Sequence, residues 1–302
     1  MHNKIKGKTF TWYHFPQLEE SDFKILEKKF KFHPLDFDDL RVEAELQKID
    51  VYNDYIFAVF NLPRFNLSAQ RVVKQTLAFF VGKDFIVTAT REPIDAVNRF
   101  FTRANRSSGL KKEALDRTPG YFIYKFLDYL SRDSNVILKE LVRETQIVED
   151  KMYDGHTQQT TKRLGILRRN VLFFRHIIDP QRILIEQFVR TRKSYIPTSL
   201  DPYFDDVKDN LDESWVVTDN LKNIIEGLFN LNEALLSHRT NQIIRILTVI
   251  SVILMPPTLI ASYYGMNIQN LPLVESIESV TLVILISVIL SWMLIAVIFR
   301  RK

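Results

Sequence analysis

The chain has 302 residues and a mass of 35.6 kDa, with 46% hydrophobic and 25% charged residues, a balance that excludes intrinsic disorder and collagen-like repeats. It contains no cysteine, which excludes a disulfide scaffold, cysteine-based zinc sites, iron–sulfur clusters and a thiol nucleophile. The net charge of +5 is unevenly placed: residues from Arg239 onward carry +3 and residues 1–238 only +2, so the basic pI does not describe a nucleic-acid-binding face and no nucleic-acid partner is expected.

In chain order, Met1–Lys8 is basic but is followed by no apolar run, which argues against a secretory signal peptide. Residues 1–118 read as a mixed α/β domain. Thr9–Phe15 and Val51–Leu62 are predicted strands. Leu77–Val81, Gly82-Lys83 and Asp84–Thr90 read as a hairpin. Ser21–Phe30, Leu35–Glu43 and Pro93–Ala104 are predicted helices. No glycine-rich phosphate loop follows any of these strands, so a nucleotide site has no support.

Residues 119–200 are helical in pattern, and a break near Asp154-Gly155 implies a long antiparallel helix pair. Ser199-Leu200-Asp201-Pro202 starts a further helix, with proline in its first turn. No strong stop follows until Gly265. Pro256-Pro257 is expected to bend this helix without ending it, because neighbouring helices can satisfy freed carbonyls. A helix from Pro202 to Tyr264 is roughly 95 Å long at 1.5 Å per residue. That makes 201–245 a stalk.

No residue from Ile246 to Val274 is charged, and Ser279–Phe299 adds 21 uncharged positions. Each run can cross a hydrocarbon layer of roughly 30 Å. The expected spans are 246–266 and 279–299, joined by an outer loop 267–278 and followed by a basic tail 300–302. Arg239 and Arg245 precede the first span and Arg300-Arg301-Lys302 follow the second, while the connection holds Glu275 and Glu278 and no basic residue. The positive-inside rule puts both termini in the cytoplasm of a multi-pass protein. A bacterial or archaeal plasma membrane is the expected setting, and membrane lipid an expected partner. Two buried core helices of a soluble protein explain the charge asymmetry poorly. The fold class is thus an α+β cytosolic domain in α/β/α layers, a very long stalk helix and a two-helix membrane hairpin.

The polar residues of the first span are ordered. Thr248, Ser251, Thr258 and Ser262, with Met255 inserted, form one helix face that extends back to Asn241 and Ile244. One reading is helix–helix contact, since small hydroxyl residues let membrane helices approach closely. The other is the wall of a water-filled pore. A single face encloses no pore, so the second reading requires a homo-oligomer with this helix on its axis. The stripe ends at Tyr263-Tyr264-Gly265-Met266-Asn267. A C-cap glycine with interfacial tyrosines explains Tyr and Gly and leaves Asn267 without a reason. A ring of Asn amide oxygens can accept hydrogen bonds from the water shell of Mg²⁺, an ion that loses water reluctantly.

At Met255–Asn267 the sequence resembles the CorA family of divalent-cation channels, whose first transmembrane helix ends in a Gly-Met-Asn signature. His33-Pro34-Leu35 followed by Asp38-Asp39-Leu40 also resembles a family segment. The resemblance implies a homopentameric funnel that carries Mg²⁺, and also Co²⁺ or Ni²⁺, down its electrochemical gradient without catalysis. It implies an outer ion ring of Gly265, Met266 and Asn267, polar rings at Asn241 and Thr258, and apolar constrictions at Leu247 and Met255. It also implies Mg²⁺ as a regulatory ligand between neighbouring cytosolic domains, with Asp206 at an acidic family position beside Asp205 and Asp209.

The sequence departs from the family in part. Asn230 stands where a stalk carboxylate occurs in well-known members, and the segment Phe65–Gln75, read as a strand connection, has no acid. Mg²⁺ feedback is therefore expected to be weaker or differently arranged. The acids Asp201, Asp205, Asp206, Asp209, Asp212 and Glu213 read equally well as favourable charge near a helix N-terminus. Pro272 is followed by Leu273, and Glu275 and Glu278 either concentrate cations at the mouth or are solvated loop charges. The six histidines show no metal spacing, and no nucleophile–base constellation points to an enzyme. Competing readings are a zinc or other transition-metal transporter of the same family, against which Met266 argues, and a non-conducting membrane sensor or scaffold.

Overall fold

The computed structural model describes residues 3–42, 47–153, 157–191, 193–266 and 277–300. Two units divide the chain, Met1–Phe229 and Asn230–Lys302. In the first, six strands form one mixed sheet: β1 (Asn3–Lys6), β2 (Thr11–Phe15), β3 (Lys48–Val51), β4 (Tyr55–Asn66), β5 (Arg71–Gly82) and β6 (Phe85–Thr90). Their spatial order is β1-β2-β6-β5-β4-β3. Strands β2 and β6 are parallel, and the other neighbours are antiparallel.

The hairpin expected at Gly82-Lys83 is the β5–β6 turn. Three strand readings change. The run Val51–Leu62 is broken at residues 52–54, where Tyr52 N–H donates to the Tyr55 carbonyl at 2.9 Å and turns β3 into β4. Residues 65–75 are mostly not a connection, because β4 continues to Asn66 and β5 begins at Arg71, leaving a turn over 67–70 with Gln70 at φ 47°. The N-terminal Asn3–Lys6 adds an edge strand whose one buried residue, Ile5, shows no periodicity in sequence.

Alternation along the strands sends apolar side chains to both faces. Phe57 and Val59 of β4 and Ala78 and Phe80 of β5 pack with Phe23 and Leu26 of α1 (Glu20–Lys29) and Phe37 and Leu40 of α2 (Pro34–Val42). On the other face, Trp12 meets Phe101 of α3 (Asp95–Arg106) and Phe122 of α5 (Pro119–Tyr153), each with centroids 4.8 Å apart and rings edge-on. Phe79 meets Phe188 of α6 (Thr157–Arg190) edge-on at 6.5 Å. Between α3 and α5, α4 (Ser108–Leu110) runs into a wider turn over Lys111–Leu115. The α/β/α layering is as expected.

Helices α5 and α6 form the long antiparallel pair, held in part by an Arg163–Glu144 ion pair at 2.7 Å. The break expected at Asp154-Gly155 lies outside the described residues. A short 3₁₀ turn, Thr198–Leu200, leads into α7 (Asp201–Tyr264), and α8 is Ile277–Arg300. As expected, α7 runs through Pro256 and Pro257. Its base is anchored: Gly120 N–H donates to the Tyr195 carbonyl at 3.1 Å, and a Cβ at Gly120 would lie 2.7 Å from that oxygen, so only glycine fits. Further along, Phe204, Val207, Leu211, Ser214, Thr218, Leu221, Ile225 and Leu228 are all buried, at alternating spacings of three and four. That is the seam of a helix packed on other helices. Arg182–Asp212 and Arg175–Asp219 ion pairs join it to α6, with both guanidiniums over the Trp215 ring.

The far end of the sheet holds a buried polar chain. The Trp12 indole N–H donates to the Thr88 hydroxyl at 2.9 Å. An indole only donates, so Thr88 directs its own hydrogen to His14 Nδ1 at 2.9 Å, and His14 Nε2–H donates to Asn98 Oδ1 at 2.8 Å. This satisfies a neutral imidazole, and burial pushes the His14 pKa down. The folded state therefore binds fewer protons than the unfolded state once the pH falls below about 6.5, and stability is lost from there downward. Thermal unfolding in detergent should show a midpoint falling between about pH 7 and about pH 5, less steeply in His14→Gln, where this proton uptake is gone. Equal slopes in the two proteins would reject the assignment.

Candidate functional site

The stripe predicted for the first span lies on continuous α7 helix. Asn241, Ile244, Thr248, Ser251, Met255, Thr258 and Ser262 follow one another at three and four residues, so one face carries them all. Among the described residues nothing buries it: none of the most apolar 18-residue window of the helix is buried. Ile244 is 54% exposed, Leu247 58% and Met255 71%. Buried core helices of a soluble protein are therefore not what these residues form.

The hydroxyl hydrogens point back into the helix. Thr248 donates to the Ile244 carbonyl at 2.8 Å, Ser251 to Leu247 at 2.9 Å and Thr258 to Leu254 at 2.7 Å. With its hydrogen so engaged, each hydroxyl offers its surroundings oxygen lone pairs. Pro256 and Pro257 lack N–H groups, which removes the helical donors to the Val252 and Ile253 carbonyls. Val252 and Ile253 lie off the stripe and are half-buried, so these carbonyls belong to a neighbouring face, and the acceptors on the stripe itself are the hydroxyl oxygens.

At its end, Gly265 N–H still donates to the Ala261 carbonyl at 2.9 Å, and Met266 N–H approaches the Tyr263 carbonyl at 3.4 Å. Gly265 is not in the left-handed region, which removes the left-handed C-cap reading of this glycine. A Cβ there would sit 3.1 Å from the Ala261 oxygen, a contact a small shift relieves. Neither backbone angle nor the helix's own turn demands glycine. Met266 is 54% exposed. Asn267 and Glu275 lie outside the described residues. Glu278 is exposed in the first turn of α8.

The acids near the base of α7 separate into two groups. Asp212 is engaged with Arg182. Asp205, Asp206 and Asp209 are exposed and form no ion pair among the described residues. The Asp206 charge is felt at Arg132 and Tyr124 of α5.

A further carboxylate group went unread in the sequence. Asp36 and Asp39 of α2 and Asp50 of β3 bring oxygens within 4.8 Å of one another. Fully buried Asp36 accepts from the Tyr52 hydroxyl at 2.8 Å and the Tyr55 hydroxyl at 2.6 Å. Burial pushes its carboxyl up, against the pull of the two hydroxyls. Lys48 Nζ stands 2.5 Å from Asp39 and 2.7 Å from Asp50, so a fixed ammonium fills the position a bound cation would need. The Asp36-x-x-Asp39 spacing beside His33-Pro34-Leu35 was the available signal, but the strand that brings Asp50 is distant in sequence.

The family model described as CorA-like Mg²⁺ transporter protein matches residues 7–301. The cobalt/magnesium transport protein CorA of Thermotoga maritima is 24% identical over 268 residues, 88% of this chain and 75% of that protein. The protein of the same description from Methanocaldococcus jannaschii is 22% identical over 263 residues, 86% and 80% respectively. The complete structure of the M. jannaschii CorA magnesium transporter superposes with a TM-score of 0.81 at 20% identity, covering 99% of this chain and 93% of that one. With the family match spanning nearly every residue, the chain belongs to the CorA-like Mg²⁺ transporter family.

Proposed function

We propose that the protein is a homo-oligomeric channel that admits Mg²⁺, and also Co²⁺ or Ni²⁺, through a path lined by the α7 stripe. The observation that carries this reading is the exposed run of hydroxyls along one face of an apolar helix. A hydroxyl bonded to its own helix keeps lone pairs that hydrocarbon leaves unused, whereas water and a hydrated cation's water shell can donate to them. Copies of one stripe around an axis make rings, and the assembly that the family resemblance implies is a pentamer. Gly265 fits the reading, since close approach of another copy gives a reason for a glycine that this chain's own backbone does not.

Mg²⁺ takes oxygen ligands and holds its waters firmly, so neutral acceptors spaced along a wet path suit it better than a stripping carboxylate cage. At the outer end, Gly265, Met266 and Asn267 form the ring that receives the hydrated ion. Leu247 and Met255 are the apolar constrictions, which close by dewetting. Entry is driven by the membrane potential, about 2.3 kcal/mol per charge per 100 mV and so about 4.6 kcal/mol for a divalent ion. The termini lie in the cytoplasm and α8 is the second span, with Glu275 and Glu278 at the outer mouth. Cytosolic Mg²⁺ acts at Asp205, Asp206 and Asp209.

Two variants test this in liposomes with an inside-negative potential. Wild type should take up Mg²⁺, and Asn267→Ala should abolish uptake while leaving the oligomer intact. Gly265→Val should also assemble by size but lose most of its flux, because the added carbons narrow the ring. Uptake of Zn²⁺ in place of Mg²⁺ would give the transition-metal branch of the family. Silence of a folded oligomer toward Mg²⁺, Co²⁺ and Zn²⁺ would reject transport in favour of a sensor or scaffold.

A further inference from the structure

The β4–β5 hairpin is longer than the sheet around it. Strand β3 covers β4 at residues 56–59, and β6 covers β5 at residues 77–81. Beyond those rungs, residues 62–66 and 71–75 run on as a two-stranded ribbon. Such a ribbon is marginal alone, and α6 supports it: Asn170 accepts from Val72 N–H at 3.1 Å and donates to the Gln70 carbonyl at 3.2 Å. The fold thus maintains a projecting element whose tip carries Leu67 at 83% exposure.

Its charge is one-sided. From Tyr55 to Lys83 the chain has no acidic residue. Arg64 and Arg71 are two rungs apart across the ladder, which puts them on one ribbon face. Arg169 of α6 approaches the Gln70 carbonyl at 3.5 Å and adds a third cation at the tip. None of the three forms an ion pair among the described residues. The complementary surface is on the same chain: residues 201–213 hold six acids and one lysine, with Asp205, Asp206 and Asp209 exposed and likewise unpaired.

We propose that the ribbon of one copy docks on the acidic base of α7 of the next copy through direct arginine–carboxylate pairs, and that no divalent cation bridges the two faces. This inference rests on the oligomeric channel reading. A contact between two unlike faces of one chain is heterologous, and a heterologous contact that closes makes a ring. A ring is also what a stripe on a single helix needs to enclose a path. A bridging divalent ion would find carboxylates on the α7 side and none anywhere on the ribbon, whereas guanidinium forks match carboxylates without help. Cytosolic Mg²⁺ then competes with the ribbon for these acids and does not tighten the contact.

The absence of native cysteine makes the test clean. Full-length protein in detergent carries Leu67→Cys and Lys208→Cys together and is oxidised in the presence of EDTA. The expected result is a ladder of covalent multimers beyond the dimer on denaturing gels, with neither single variant forming one. The ladder should weaken between about 0.1 M and about 1 M salt, where the screening length falls from about 10 Å to about 3 Å. It should be lost when either Arg71→Glu or Asp206→Lys is added, and return when both are present. A ladder that forms only with Mg²⁺ would overturn direct pairing in favour of a metal bridge. No ladder from a protein that light scattering shows to be oligomeric and that still passes Mg²⁺ would remove this contact and leave the channel reading standing. A monomer by light scattering would end both.

Discussion

An apolar helix that the described residues of its own chain leave uncovered cannot remain so in water. Ile243, Ile244, Ile246, Leu247, Ile250 and Leu254 are all exposed on α7. At about 1.5–3 kcal/mol for each large aliphatic side chain, their exposure to water costs on the order of 10 kcal/mol. That rivals the whole stability of an ordinary domain, about 5–15 kcal/mol. Lipid, further copies of the chain, or both must therefore cover this stretch. Everything read from the stripe follows from that requirement.

The same helix meets the opposite condition nearer its base. From Phe204 to Leu228 its apolar positions are sealed by helices of the same chain, with Gly120 and the ion pairs to α6 fixing its start. Both stretches use alternating steps of three and four residues. What differs is the side chains off that seam. Near the base they are charged, and beyond Arg245 they are uncharged. One secondary-structure element thus serves as a core helix up to Leu228 and as a surface for another phase later.

Most of this was legible in the sequence because long-range order here follows simple periods. The uncharged runs, the hydroxyl stripe, the Asp201-Pro202 start and the continuity through Pro256-Pro257 all depend on one helix and its own residues. The readings that changed depend on partners. The four-residue edge strand β1 exists because β2 offers it a ladder. The break at Tyr52–Asp54 carries no glycine or proline, and its one local signal is the turn-forming pair Asn53-Asp54 between Tyr52 and Tyr55. The segment 65–75 reads as a connection because its polar, basic residues lack strand alternation, yet most of it is ribbon that α6 holds in register. The Asp36, Asp39 and Asp50 group needs α2 and β3 to meet, which no spacing encodes. Asn267, the residue on which the resemblance leans most, lies outside the described residues.

The direction of the hydroxyl hydrogens has a consequence for ions of the other sign. Chloride and phosphate need donors to replace their water. On this face Thr248, Ser251 and Thr258 have turned their hydrogens into the helix backbone. In the proposed channel, a path walled this way would offer an anion no hydroxyl donor at these three positions. The same proposed path has no carboxylate along the 246–274 run, so a multivalent cation would meet no deep electrostatic trap to hold it there.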